Sequence, residues 1–264
     1  MLELKLLRQL RQEPIGEYQP IADFTSHEIE VMYSIYEKYY ENTQLKIFSS
    51  DFAKKSGAFL IRHPKTNEIV GFSTVMDCEI NVNGKIHHAF FSGDTVIEKE
   101  FWGNRALQRA MYRYLIQKKL KHPTEAVYWM LISKGFKTYL LLANNYFSYF
   151  PHYNNKNQHL APIVDAYCRQ YFDKYYDADK GILNFGNDYQ PLKGDVAPIT
   201  QDMLNRNAKI RFFEQCNPDW AYGTELPCIG EITWRDIGRY VQRFLSKTTS
   251  TGKIDAVLAA KRQA

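Results

Sequence analysis

The apolar run AVYWMLIS, from Ala126 to Ser133, constrains this chain more than any other stretch. A run that is apolar on both pleat faces predicts a strand covered on both sides, the usual environment of a parallel strand. It closely follows FSGDTVIEKEFWGNRALQRAMYRYL, Phe91 to Leu115, which reads as a strand, a charged turn and an amphipathic helix. The order strand–helix–strand predicts a parallel pair joined by a right-handed crossover. Within that helix, Leu107, Ala110, Met111, Tyr114 and Leu115 share one stripe. Arg105, Arg109 and Arg113 fall on another face, which is read as exposed.

The preceding segments predict an antiparallel meander. GAFLIRH and EIVGFSTVMDCEINV are rich in apolar and β-branched residues, with PKTN as the turn between them. Asn83-Gly84 predicts a type I′ turn leading into KIHHAFFSGDTVI. Upstream, Ser26 is read as the N-cap of a helix with Ile29, Met32, Tyr33 and Tyr36 at helical spacing, and a short helix is expected over Ser50 to Lys55. GFKTYLLLANNY is the helix after the apolar run, closed by Pro151. Beyond it, APIVDAYCRQYF, DMLNRNAKIRFFEQCNP and WRDIGRYVQRFL read as helices, and GILNF and TELPCIGEI as strands. Pro227 predicts an edge position for the last of these strands.

Composition narrows the classes. The chain has 264 residues, 45% of them hydrophobic and 24% charged, as in ordinary globular proteins. The net charge of +5 favours acidic ligands only weakly and falls short of a polybasic nucleic-acid binder. Cys78, Cys168, Cys216 and Cys228 are scattered, as expected of reduced thiols in a cytoplasmic protein. No clustered Cys and His spacing is visible, and the adjacent His87 and His88 point to opposite faces of a strand, so no metal is expected. Leu2, Leu6, Leu7 and Leu10 are interrupted by charges, which predicts an amphipathic helix and no membrane span.

The meander, strand–turn–helix, buried strand and following helix resemble the GNAT superfamily of N-acyltransferases over roughly Ser26 to Tyr153. EIVGFSTV is similar to that family's third strand, and DTVIEKEFWGNRAL to its fourth strand and pyrophosphate loop. The hydrophobic phase of the helix, with Ala110 and Met111 on its buried face, selects the register in which Gly103 matches the glycine that often precedes the one the family's motif requires. Trp102 then stands where the family has Arg or Gln, and Arg105 and Leu107 where it has small residues. The fold class this implies is α+β with α/β character. A mixed, mainly antiparallel sheet is flanked by helices and followed by a C-terminal extension of helices and strands. The implied organisation is an N-terminal helix and linker at 1–25, an acyltransferase core at 26–153, an extension at 154–246 that completes sheet and cleft, and a polar tail at 247–264.

The resemblance also implies a chemistry. An acyl group would pass from a thioester to a small-molecule amine by direct attack, the donor being acyl-CoA or the phosphopantetheine arm of an acyl carrier protein. Autoinducer synthases and N-acyl amino acid synthases share this architecture. The coenzyme is expected at Val96, Ile97, Trp102, Gly103, Asn104, Arg105 and Ala106, with Ser133 and Lys134 at the end of the apolar strand. Asp94 is expected as base or water-orienting residue and Tyr139 as the acid for the leaving thiolate. Each has a structural alternative. Asp94 completes a turn-like SGDT, Tyr139 is one of many core rings among 19 tyrosines, and Glu98 is a solvated turn residue. A non-catalytic binding protein with a degenerate coenzyme site is the alternative function.

Overall fold

The computed structural model describes residues 13–186, 190 and 198–242. The expected N-terminal helix and the polar tail at 247–264 lie outside the described residues. Residues assigned above to a linker form instead the first strand, β1 (Ile15–Pro20), paired antiparallel with β2 (Gly57–Arg62). Gly16 is the reason the chain can lie there. A Cβ at this position would stand 2.2 Å from the carbonyl oxygen of Ala106, so only glycine permits the approach of strand to helix.

Helices α1 (Ser26–Tyr39) and α2 (Leu45–Phe52) follow β1. Thr25, not Ser26, caps α1, through a capping box in which Thr25 and Glu28 satisfy each other's backbone N–H. The second helix starts earlier than expected because Phe48 and Phe52, one turn apart, are its buried residues. The meander then runs through β2, β3 (Ile69–Val82) and β4 (Lys85–Ile97). Asn83 and Gly84 have φ of 53° and 83°, as a type I′ turn requires. Helix α3 (Ala106–Lys121) crosses to β5 (Val127–Ser133), which is parallel to β4, and α4 (Phe136–Asn145) follows.

The extension supplies β6 (Ser148–Phe150), α5 (Ala161–Phe172), β7 (Tyr176–Asp177), β8 (Ile182–Asn184), α6 (Gln201–Arg206), α7 (Ala208–Cys216) and β9 (Thr224–Ile232). Residues 234–242 are helical and are called α8. The single helix expected over DMLNRNAKIRFFEQC breaks at Asn207, whose extended backbone ends α6 and whose side chain caps α7. Among the described residues the strands form one sheet in the order β1-β2-β3-β4-β5-β9-β8-β7, with β6 beside β9. The β9 strand is thus interior, contrary to the edge position read from Pro227. Its outer side is covered by β8 at Thr224–Glu225 and by β6 at Ile229–Glu231, and Pro227 falls in the gap between them.

One face of the sheet carries α3, α4 and α7 over Phe59, Val75, Phe90, Trp129 and Leu131. The other carries α1 and α2 over Leu60, Phe72 and Val96, and α5 over Cys78, Met130 and Ile229. This is a mixed α+β fold with an open, mainly antiparallel sheet flanked by helices. No described helix is long and apolar enough to cross a membrane.

Candidate functional site

The parallel pairing of β4 with β5 runs only from His88–Val127 to Phe91–Met130. Beyond that point β4 continues on β3, and β5 continues on β9, so the two strands part. Trp129 donates from Nε1 to Ser92 Oγ at 2.8 Å and ties the strands together where the ladder ends. Just past the opening, Ser73 opposes Thr95 and Val75 opposes Ser92, which leaves Gly93 and Asp94 opposite Thr74 alone. That is a β-bulge, and a bulge shifts the alternation of side chains between the two faces. Accordingly Phe91 packs with the α5 cluster and Val96, an odd number of residues later, packs on the same face with α1 and α2.

The bulge aims Asp94 at a set of charged side chains. Burial pushes its carboxyl above the ordinary carboxylate range; Lys55 opposes this, Asp51 adds to it and Lys134 opposes it. Glu225 at the start of β9 is only 8% exposed. Burial holds its carboxyl up at about 6, against the pull of Lys134 and with a further push from Asp94. Lys134 Nζ lies 3.5 Å from Glu225 Oε1, 5.1 Å from the centre of the Tyr40 ring, and donates to the Gln190 carbonyl at 3.0 Å. Tyr36 donates to Gln190 Oε1 at 2.6 Å, and its phenol is pushed well up by burial and then by Asp94. Two elevated carboxyls and a lysine therefore share the open end of the β4/β5 pair. A carboxylate held near 6 is a competent proton acceptor at neutral pH.

Of the residues expected here from sequence, Asp94 and Lys134 belong to this cluster. Glu225 was not anticipated, although an acid inside the apolar strand TELPCIGEI was its visible signal. Ser133 is fully buried, with its Oγ 3.5 Å from Cys228 Sγ. Tyr139 does not join Asp94. Its ring is fully buried under the opposite face of the sheet beside Tyr149, Phe212 and Phe213, and its hydroxyl donates to the Pro151 carbonyl at 3.0 Å. Glu98, read as a solvated turn residue, anchors α1 through Lys38 at 2.6 Å and Tyr39 at 2.9 Å.

The loop at the start of α3 is a separate group. Val96 and Ala106 are buried, whereas Trp102 is 63% exposed and donates from Nε1 to the Ile97 carbonyl at 2.7 Å. Gly103 has φ of 81° with open space on its Cβ side. Asn104 Oδ1 accepts the Ala106 N–H at 2.7 Å, while its Nδ2 donates to the Phe101 carbonyl. The N–H groups of Leu107 and Gln108 have no acceptor among the described residues. Arg105 is exposed at the N-cap. The arginine stripe is not the free face expected. Arg109 donates to Glu13 Oε2 at 2.6 Å and to the Pro14 carbonyl at 3.3 Å. Tyr240 of α8 stacks on Tyr112 beside the stripe; burial raises its phenol, and Arg109, Arg113 and Arg105 pull it down.

A cavity of about 730 Å³ lies elsewhere, between α1 and residues 98–101. Two of the cations in its walls are paired there, Lys38 with Glu98 and Arg62 with Glu28.

No protein-family profile and no curated protein sequence matches the chain. Solved structures do. A probable N-acyltransferase from Enterococcus faecalis is 12% identical over 49% of this chain and 31% of its own, with a TM-score of 0.37. A GNAT family N-acetyltransferase from Escherichia coli in complex with CoA is 8% identical over 47% of this chain and 64% of its own, with a TM-score of 0.35. An acetyltransferase from Corynebacterium glutamicum is 13% identical over 53% of this chain and 88% of its own, with a TM-score of 0.36. The chain thus spans less than two thirds of the length of the first two.

Proposed function

We propose that the chain is an N-acyltransferase that accepts an acyl thioester at the open end of the β4/β5 pair and passes the acyl group to an amine. The observation that carries this reading is the gathering of Asp94, Lys134 and Glu225 where the two strands part. An alkylamine with a pKa near ~10 is almost wholly protonated at neutral pH, so a proton acceptor beside it removes a barrier of several kcal/mol, roughly 4. Glu225 takes that proton; burial, with a smaller push from Asp94, keeps its carboxyl basic enough to do so. The freed nitrogen attacks the thioester carbonyl carbon. The C–N bond forms, the C–S bond breaks, and the departing sulfur receives the proton that nitrogen releases. Tyr139 has no part in this, because its proton is held by a core carbonyl.

The coenzyme arm is expected along the loop at 102–106. The unaccepted N–H groups of Leu107 and Gln108 and the exposed Arg105 supply donors for a diphosphate there. The choice between acyl-CoA and acyl carrier protein as donor belongs to the same proposal. The test is thiol release from acetyl-CoA, long-chain acyl-CoA and acyl carrier protein against a panel of amines. Amine-dependent release that is lost in Glu225→Gln supports the reading. Coenzyme binding without turnover on any donor selects the non-catalytic alternative.

A further inference from the structure

The sequence shows no clustered ligand spacing, yet three ligand-type side chains meet at the closed end of the β4/β5 pair, the opposite end from the carboxyl cluster. His88 on β4, His122 at the C-terminal end of α3 and Glu125 in the turn to β5 come together, with one ligand atom from each within 4.8 Å of the others. Glu125 Oε2 lies 3.1 Å from His88 Nε2 and 3.6 Å from His122 Nδ1. The two imidazoles face each other with centroids 4.0 Å apart and planes inclined by 28°. Sequence spacing hid this set because the strand ladder and the crossover helix, and not a local motif, bring its members together.

The separations suit a small divalent cation. Metal–ligand bonds of about 2.0–2.2 Å in a tetrahedral site place neighbouring ligand atoms about 3.3–3.6 Å apart. The two contacts to Glu125 straddle that range. The scaffold is also prepared. His88 pairs in register with Val127, so β4 holds its ring beside the start of β5. His122 closes α3 by donating its N–H to the Lys118 carbonyl at 3.1 Å, and the Glu125 carbonyl is held by the buried Lys119 at 2.5 Å. The other nitrogen of His88 lies 3.7 Å from Oε1 of Glu79, its cross-strand partner. At that distance Glu79 is an electrostatic neighbour of the ring and lies beyond hydrogen-bond reach. The side chains of His88 and His122 keep 27% and 28% of their surface and Glu125 keeps 55%, which leaves room for water at a further position.

We propose that His88 Nε2, His122 Nδ1 and Glu125 Oε2 bind one divalent transition-metal ion of the zinc class, with a remaining position open to water. Imidazole nitrogen with a single carboxylate selects zinc, cobalt or nickel over the oxygen-seeking magnesium and calcium. The ion would fasten the α3–β5 turn onto β4 and so clamp the parallel ladder at the end opposite its opening. The inference does not depend on acyl transfer.

The test is calorimetric titration of the untagged full chain with Zn²⁺, with Mg²⁺ as control, and absorption spectroscopy with Co²⁺. One Zn²⁺ per chain is expected, with no response to Mg²⁺. Affinity should fall more than tenfold in His122→Ala and in Glu125→Ala. Bound Co²⁺ should show visible bands of a nitrogen and oxygen site in the wild type. No saturable Zn²⁺ binding up to millimolar concentration would overturn the proposal. So would binding unchanged in both ligand variants, or a Co²⁺–thiolate charge-transfer band placing the ion on cysteine.

Discussion

Lys134 holds its ammonium 3.5 Å from the carboxylate of Glu225, in a place that the sheet opens by ending the β4/β5 ladder at Phe91 and Met130. Burial of Glu225 outweighs this attraction, so the carboxyl stays near 6 even with a cation beside it. If Glu225 receives the amine's proton, kcat/KM should rise with pH and level off above about 6 on the limb that this group controls. Glu225→Gln keeps the side-chain volume and removes the proton acceptor. It should lower kcat by ~10²–10⁴ and abolish that limb. A pH profile unchanged in the variant would remove Glu225 from the chemistry.

The same carboxyl makes stability depend on pH. Unfolded, it titrates at the ordinary 4.5; folded, at about 6. The folded state therefore binds the proton more tightly. This contribution to stability is fully present below 4.5 and is lost as pH rises through 6. The difference is worth about 2 kcal/mol. Urea unfolding between acid and neutral pH should show the wild type losing about that much relative to Glu225→Gln. Parallel curves for the two proteins would mean that the carboxyl is solvated.

Tyr139 supplies a contrasting case. Its hydroxyl donates to the Pro151 carbonyl and its ring packs against Phe213. Tyr139→Phe keeps the ring and leaves that carbonyl without its donor. Stability should fall by about 0.5–1.5 kcal/mol, and turnover per folded molecule should not change. A large loss of turnover at unchanged stability would restore the tyrosine to the site.

The fold was legible where a local signal and its tertiary consequence coincide. Asn83-Gly84 demanded positive φ, and the apolar run at Ala126–Ser133 demanded two covered faces; both emerged as read. What stayed hidden depends on contacts between distant segments. The strand at Ile15–Pro20 reads as a linker because it is held by β2 and by the bare Cα of Gly16 against Ala106. Pro227 signals an edge, and only the gap between β6 and β8 shows how an interior strand tolerates it. In the site, Asp94 was readable from its place on β4. Burial raises its carboxyl, Lys55 and Lys134 oppose the rise and Asp51 adds to it, and two distant segments deliver these groups. Glu225 was missed for the same reason, and the His88, His122 and Glu125 group was judged absent because ligand spacing was sought along the chain instead of across the sheet.

Two arginines one helical turn apart should behave differently. Arg109 is committed to Glu13 at 2.6 Å and to the Pro14 carbonyl, contacts that pin the start of the described chain to α3. Glu13 keeps 48% of its side-chain surface, so this ion pair is worth at most about 1 kcal/mol. Arg105 is exposed at the N-cap, next to the unaccepted N–H groups of Leu107 and Gln108. A diphosphate bound there would meet the positive end of the helix dipole and a guanidinium free to reach it. Arg105→Glu replaces that cation by a like charge and should weaken coenzyme A binding by more than tenfold, about 1.4 kcal/mol or more. Arg109→Gln should leave that affinity within a few-fold and lower stability slightly. Calorimetry with coenzyme A at two salt concentrations separates the cases, since loss of a phosphate contact also flattens the salt dependence. Equal affinities for the wild type and Arg105→Glu would remove the loop at 102–106 from the coenzyme site.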